Sequence, residues 1–165
     1  MPRHAFLALG SNLGDRRRYL RDAIARLAAA KGVNLLRPSR VYETEAVGPV
    51  EQGPFLNLVV EVEVGDEVTP RRLLTLAKET EGEVGRQARV RWGPREVDID
   101  ILLIEGETAC EPDLTLPHPR MWERAFVMAP LADLAPTLPT PGGETAAELA
   151  ARLREEQQIH ATVHL

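Results

Sequence analysis

Glu96-Val97-Asp98-Ile99-Asp100-Ile101-Leu102 sets two carboxylates two residues apart among aliphatic neighbours. On a strand, residues two apart share a face, so Asp98 and Asp100 project together with Cα atoms roughly 6.5 Å apart, while Val97, Ile99 and Ile101 turn to the core. A solvated strand face would account for the alternation. It would not account for the residue type, because Asp is depleted in strands and adjacent carboxylates repel unless a cation or an Arg lies between them. Hard oxygen ligands at this spacing suit Mg²⁺ shared with substrate phosphates. Directly upstream, Gly85-Arg86-Gln87-Ala88-Arg89-Val90-Arg91-Trp92-Gly93-Pro94-Arg95 carries four arginines in a stretch too broken by Gly and Pro for a helix. Arg forks bind phosphate in pairs, and a mobile loop can close over a polyphosphate and exclude water. A solvated charge run, or a nucleic-acid patch with Trp92 as a stacking platform, would suit the loop by itself. Its place beside the aspartates favours metal and phosphate chemistry, which needs both signs of charge within a few ångströms.

Three further features are weaker alone. Gly10-Ser11-Asn12-Leu13-Gly14 resembles a phosphate-cradling turn but lacks the Gly-Lys-Ser/Thr ending of a P-loop and the third Gly of a dinucleotide fingerprint, so a tight strand-to-helix turn capped by Ser11 or Asn12 is the better reading. His118 is held between Pro117 and Pro119, with Arg120 and Arg124 following four residues apart, on one face if the segment is helical. A rigid His beside two Arg suits a nucleotide phosphate, whereas a lone His is more often structural. Phe55 and Phe126 are two of three Phe and stand at element boundaries. They fill a core or sandwich a flat heterocycle.

The elements that must position these residues follow from periodicity. His4 to Leu9 is a short strand. Leu20, Ile24, Leu27 and Ala28, beside Tyr19 and Ala23, have the spacing of an amphipathic helix that stops near Gly32. Asn34 to Tyr42 is expected as one strand, and Leu58, Val60, Val62 and Val64 alternate with Asn57, Val59, Glu61 and Glu63 as a strand with one buried face. Thr69-Pro70 caps a helix that carries Leu73, Leu74, Ala77 and Thr80 to about Glu83. Val97, Ile99, Ile101 and Leu103 form another alternating strand, and Thr145-x-x-Glu148 opens a last helix with a capping box. The order β α β β α β predicts an α+β, ferredoxin-like sandwich: a mostly antiparallel sheet with helices packed on it. A small doubly wound α/β domain is the runner-up.

Length and composition bound the rest. A chain of 165 residues is the size of one domain, read as 1–165. The balance 20 − 25 = −5 argues against a surface built to coat nucleic acid or anionic lipid, so any anion site is local. With Cys110 the single thiol, a disulfide framework and a Cys-rich zinc site are excluded. The apolar run Ala5 to Leu9 is too short for a signal-peptide core, and no window approaches the roughly 18 apolar residues of a membrane span, so a cytoplasmic protein is expected.

Taken together, Ala8 to Gly14, Tyr42 to Pro49, Phe55 to Val59, Arg91 to Leu103, Leu116-Pro117-His118 and Arg124 to Leu131 resemble, in order, the hydroxymethyldihydropterin pyrophosphokinases of the folate pathway. The Arg-Trp-Gly-Pro-Arg-x-x-Asp-x-Asp segment is the most specific of these. The resemblance implies a ferredoxin-like fold and transfer of the terminal diphosphate of ATP to the hydroxymethyl group of a reduced pterin, with two Mg²⁺ and release of AMP. It implies metal ligation by Asp98 and Asp100, with Arg86 and Arg95 beside them in catalysis. Glu81, Trp92, His118 and Arg124 correspond to the nucleotide side, and Thr44, Val47, Phe55, Asn57 and Phe126 to the pterin pocket. Some relatives have Tyr where Phe55 stands. The loop is a residue shorter than in some relatives, so no role carries to Arg89. A metal-polarised hydroxyl and an aspartate acting as acceptor both remain open for the proton. The implied partners are ATP and the pterin, with no nucleic acid or membrane, acting on a monomer. A non-catalytic ferredoxin-like module binding nucleotide or RNA is the competing class; it would explain the basic loop but not the aspartate pair.

Overall fold

A computed structural model of the chain describes residues 1–45, 52–85, 96–162 and 164–165. Strand β1 (Arg3–Ser11) leads through Gly14 to helix α1 (Arg16–Ala29), followed by β2 (Val33–Pro38), β3 (Tyr42–Thr44), β4 (Phe55–Val64) and helix α2 (Pro70–Gly85). Strand β5 (Asp98–Ile104), a hairpin of β6 (Ala109–Glu111) and β7 (Leu114–Leu116), a 3₁₀ turn (Met121–Glu123), helices α3 (Ala125–Leu134) and α4 (Ala146–Glu156) and strand β8 (Ile159–Ala161) complete the order. The main sheet runs β5-β1-β4-β3-β8, with β2 also paired to β4, and the pairings are antiparallel. This is the ferredoxin-like arrangement that the element order predicts.

Alternation on the central strands separates two apolar layers. Leu7, Leu9, Leu58, Val60, Ile99 and Ile101 face α1 and α2, meeting Leu20, Ala23, Leu27, Leu73 and Ala77. Phe6, Val59 and Leu102 face the opposite way and meet Met128, Leu131, Leu149 and Leu153 of α3 and α4. Each fully buried Leu in these layers is worth about 1.5 to 3 kcal/mol over an exposed one. The helix signals hold locally: Thr69 Oγ1 accepts the Arg72 N–H at 3.1 Å, and Thr145 and Glu148 make the reciprocal capping box. At the end of α1, Gly32 takes φ +84°, where a Cβ would lie 2.6 Å from Val68 Cγ2.

Four expectations are corrected. Asp15, not Ser11 or Asn12, caps α1 by accepting the Arg18 N–H at 3.2 Å. The strand expected over Asn34 to Tyr42 is two strands, broken where the Ser39 hydroxyl takes the Val59 N–H at 2.9 Å. Strand β4 is buried on both faces, because α3 and α4 cover the side that carries Val59 and Glu61. On β5 the alternation slips after Leu102, the extra residue of a bulge against Phe6 and Leu7, so that Leu103 joins Leu102 on the α3 and α4 side and Ile104 takes the place expected for Leu103 in the α1 and α2 layer.

Glu61 stays charged in that second layer because it is held from two sides. Its carboxylate meets His4 Nδ1 at 2.7 Å and Arg37 Nε at 2.8 Å, tying β1, β2 and β4. Burial pushes the Glu61 pKa up, but hydrogen bonds from Arg37 and His4 outweigh it, and the net shift is downward. The hydrogen bond to Glu61 raises the His4 pKa against a smaller desolvation effect, with Glu105 and Glu63 adding to the rise. The His4 contribution is therefore complete below its ordinary value of about 6.5 and is lost as pH climbs through the raised folded value. That of Glu61 is complete above its ordinary 4.5 and lost as pH falls through the lowered one. Urea unfolding at pH 5.5 and 8.5 should show the wild type losing stability at the higher pH and His4→Gln losing less. The difference should stay below about 1 kcal/mol, because the imidazole is 44% exposed and water screens the pair.

Candidate active site

Asp98 and Asp100 open β5, opposite Gly10 and Ala8 of β1. Their neighbours Ile99 and Ile101 enter the α1 and α2 layer, so both carboxylates point to the other side of the sheet. Asp98 is half-buried and Asp100 exposed. Strand β5 lies at the edge, and the Ile99 N–H between the aspartates is taken by Glu81 Oε2 of α2 at 2.7 Å. Burial raises the Glu81 pKa against the pull of the Ile99 N–H and of Lys78, and nearby Asp100 adds to the rise. Lys78 Nζ stands 3.4 Å from Glu81 Oε1.

A cavity of about 570 Å³ opens over the ends of β1, β4 and β5, below the first turn of α3. Asp98 and Asp100 form one wall, Phe55 and Phe126 supply rings, and Asn57 with Thr44 makes the polar floor. Asn57 Nδ2 donates to Thr44 Oγ1 at 3.0 Å, which uses one of its two N–H groups and fixes the amide. Gly10 makes room for that amide: a Cβ there would lie 2.9 Å from Asn57 Oδ1 and 3.4 Å from Phe55 Cδ1. Arg120 and Arg124 also line the cavity, the Arg124 guanidinium lying 5.6 Å from the centroid of the Phe126 ring. They flank a 3₁₀ turn rather than sharing an α-helical face.

The pocket walls are tied together from behind. Tyr42 of β3 is fully buried and donates its hydroxyl to Asp133 of α3 at 2.9 Å, while Arg40 donates to both the hydroxyl and the carboxylate. Burial first, then the bond to Asp133, pushes the Tyr42 pKa up to about 12, so the clamp persists at neutral pH. It holds the strand of Thr44 against the helix of Phe126.

A second cavity of about 220 Å³ lies across β5, sharing Asp100 with the first and lined also by Lys78, Ile99, Ile101, Thr115 and His118. His118 Nδ1 accepts the Arg120 N–H at 3.2 Å, which assigns the ring proton of the neutral form to Nε2. Burial lowers the His118 pKa, opposed by Asp100 and supported by Arg124 and Arg120. The ring is thus a neutral donor at pH 7.

Among the site residues expected from the sequence, Thr44, Phe55, Asn57, Asp98, Asp100, Arg124 and Phe126 share the larger cavity. His118 lines the smaller one, and Glu81 lines neither, bracing the aspartate strand from the helix side. Val47, Arg86, Trp92 and Arg95 lie outside the described residues, as do Arg89 and the rest of the basic loop. The sequence reading missed Lys78, which is one of two lysines and three residues before Glu81, and took Gly10 only as a turn residue. No three His, Cys, Asp or Glu side chains among the described residues converge on one point. Two aspartates on one face fit the protein's share of a Mg²⁺ site, which takes one or two carboxylates and completes its shell with waters or substrate phosphates.

A ferredoxin-like sheet that presents two aspartates to one pocket with rings and an amide, and one of them also to a second pocket with a Lys and a His, has the arrangement of a group-transfer enzyme. The pattern of the 7,8-dihydro-6-hydroxymethylpterin-pyrophosphokinase family matches residues 6–136, and the chain belongs to that family. The 2-amino-4-hydroxy-6-hydroxymethyldihydropteridine pyrophosphokinase of Bacillus subtilis is 48% identical over 130 residues, 79% of this chain and 77% of that one. Its namesake from Methylorubrum extorquens is 43% identical over 149 residues, 90% of this chain and 92% of that one. A solved structure of Plasmodium falciparum HPPK-DHPS superposes with a TM-score of 0.71 over 94% of this chain at 16% identity, which supports the fold. The present chain spans 47% of that longer one.

Removing the Glu81 carboxylate should leave the Ile99 N–H without an acceptor in a partly buried place. Glu81→Ala should cost about 1 to 3 kcal/mol in urea unfolding, whereas Glu81→Gln keeps an acceptor and should retain most of that stability. Equal losses in the two variants would mean that the contact does not brace β5.

Proposed function

We propose that the two cavities are the substrate sites of the family reaction: the larger for the reduced pterin, the smaller for the nucleoside end of ATP, with the phosphates crossing at Asp100. The reaction is transfer of the terminal diphosphate of ATP to the hydroxymethyl group of 6-hydroxymethyl-7,8-dihydropterin in folate synthesis. The observation that carries the assignment is the convergence of Asp98 and Asp100 with Asn57, Phe55 and Phe126 on one cavity.

In this reading the Asn57 amide, fixed by Thr44, presents its remaining N–H and its oxygen to the edge of the pterin pyrimidinone, and Phe55 and Phe126 take the ring faces. The hydroxymethyl oxygen then attacks the β-phosphorus in line, the bond to the oxygen bridging the α- and β-phosphorus breaks, and AMP leaves. Two Mg²⁺ held by Asp98, Asp100 and the phosphate oxygens would orient the β-phosphorus and neutralise charge growing on AMP. Arg124 supplies a permanent cation toward the triphosphate, and the neutral His118 donates a hydrogen bond. Arg86, Arg95 and Trp92 carry their assigned roles at the triphosphate from the resemblance alone. On the nucleoside side, Ile99 and Ile101 of the edge strand turn their backbone toward the smaller cavity, which suits recognition of a base edge.

The main sheet draws strands from Arg3 to Ala161, which supports residues 1–165 as one catalytic unit, and we take it to act as a monomer. No helix among the described residues is long and apolar enough to cross a membrane, and we place the reaction in the cytoplasm, as the likeness to bacterial folate enzymes supports. A non-catalytic nucleotide- or RNA-binding module leaves the aspartate pair and the amide floor without a use.

Isothermal titration with an unreactive ATP analogue, with and without Mg²⁺ and the pterin alcohol, tests the function. Pterin affinity should rise once the metal nucleotide is bound, and equal affinity with and without it would sink the reading. Asp98→Ala should lower turnover by at least about a hundredfold while the fold persists, since removing one of two like charges relieves repulsion in the free protein. Retention of turnover within about tenfold would remove the metal assignment. Gly10→Ala should separate the two cavities: the added methyl displaces Asn57, so pterin affinity should fall about tenfold or more while the ATP analogue binds within about twofold of wild type.

A further inference from the structure

Helix α3 starts in the wall of the larger cavity, where Arg124 and Phe126 stand on either side of Ala125. The first N–H groups of a helix have no intrahelical partner and are usually met by Ser, Thr, Asp or Asn at the preceding position. The residue there is Arg124, with extended backbone (φ −115°, ψ 113°) and no capping hydrogen bond from its side chain. Helices α1 and α4 do carry such caps, Asp15 and Thr145.

The acceptor for α3 comes from far along the chain. Gln157 Oε1 accepts the Ala125 N–H at 2.8 Å, and Gln157 Nε2 donates to the Glu123 carbonyl oxygen at 2.9 Å. One amide thus grips the backbone on both sides of Arg124. Gln157 is placed by two other elements: its own N–H closes α4 on the Leu153 carbonyl oxygen at 2.8 Å, and the following residues pair as β8 with β3, Ile159 opposite Thr44. It lines the cavity, yet it lies beyond residue 136, where the family match ends.

We propose that Gln157 is a positioning residue for the active site, meeting the first free N–H of α3 and the Glu123 carbonyl oxygen from outside and so fixing the backbone on both sides of Arg124. A Ser or Asp at 124 would satisfy the helix but remove the cation facing the cavity. Gln157 leaves the arginine in place, holds the first N–H of the helix, and sets the direction in which Arg124 and Phe126 enter the site. This rests on the reading of the larger cavity as the pterin site.

Gln157→Met keeps the length of the side chain and deletes both hydrogen bonds; Gln157→Glu keeps an acceptor at a helix N-terminus that favours negative charge. Thr145→Ala, which removes the cap of α4, is the control for a purely structural loss. In Gln157→Met the KM for the pterin alcohol should rise about fivefold to tenfold, the factor carried by one lost cap, with kcat changed less than about twofold. Amide exchange at Ala125 should accelerate. Gln157→Glu should recover most of the Ala125 protection, and Thr145→Ala should lose stability without a change in KM. Unaltered Ala125 exchange in Gln157→Met, or the same KM in Gln157→Met and Thr145→Ala, would overturn the proposal. Absence of turnover in the wild type would overturn the pterin reading instead, and the exchange comparison would still decide whether the cap exists.

Discussion

Two carboxylates on one face of an edge strand repel each other and demand a rigid support, and much of the surrounding architecture supplies it. On one side β1 pairs with the strand, setting Gly10 opposite Asp98 and Ala8 opposite Asp100. Among the described residues no further strand of the sheet lies on the other side, and there Glu81 accepts the Ile99 N–H. A third carboxylate near the pair is costly, but it is met by a backbone donor and by Lys78. The outcome is a strand whose edge backbone is partly satisfied and partly open to the smaller cavity, with both aspartates kept at fixed spacing.

The local signals were legible because their causes are local. Period-2 alternation marked β4 and the start of β5, and the Thr69 and Thr145 caps marked α2 and α4 to within a residue. The errors have long-range causes. Nothing near Val59 and Glu61 in sequence says that α3 and α4 will cover them, and Glu61 reads as solvent-facing until His4 and Arg37 arrive from other strands. The bulge that redirects Leu103 is set by the register against β1, and the break at Ser39 by its pairing with Val59. The family resemblance supplied the topology more firmly than periodicity did.

The site divides in the same way. Asp98 and Asp100 were evident from spacing and residue type. Phe55 and Phe126 stood out as rings at element boundaries that could fill a core or hold a flat heterocycle, Asn57 and Thr44 came from resemblance, and the four line one cavity. Gly10 was visible as a glycine but not as the space that the Asn57 amide occupies, because that contact crosses from β1 to β4. Gln157 had no signal at all: a Gln just past the end of an amphipathic helix is unremarkable in sequence, and the contact it makes depends on the path that returns the chain along β3.

The anion site is local, as a chain with net charge −5 requires. Arg120 and Arg124 line the same cavity as Asp98 and Asp100, with Arg120 paired to Glu123 at 3.1 Å, so both signs of charge share one site while the chain as a whole stays acidic. Such a site gains from rigidity more than from total charge, since opposed walls that drift together would pair and close the gap that substrate phosphates must enter. The Tyr42, Arg40 and Asp133 clamp resists that drift by holding β3 to α3, the Gln157 amide fixes the turn that bears Arg124, and Glu81 holds the aspartate strand. Each is a polar contact between distant segments, spent away from the reacting atoms, and together they keep the walls apart without placing another charge inside the cavity.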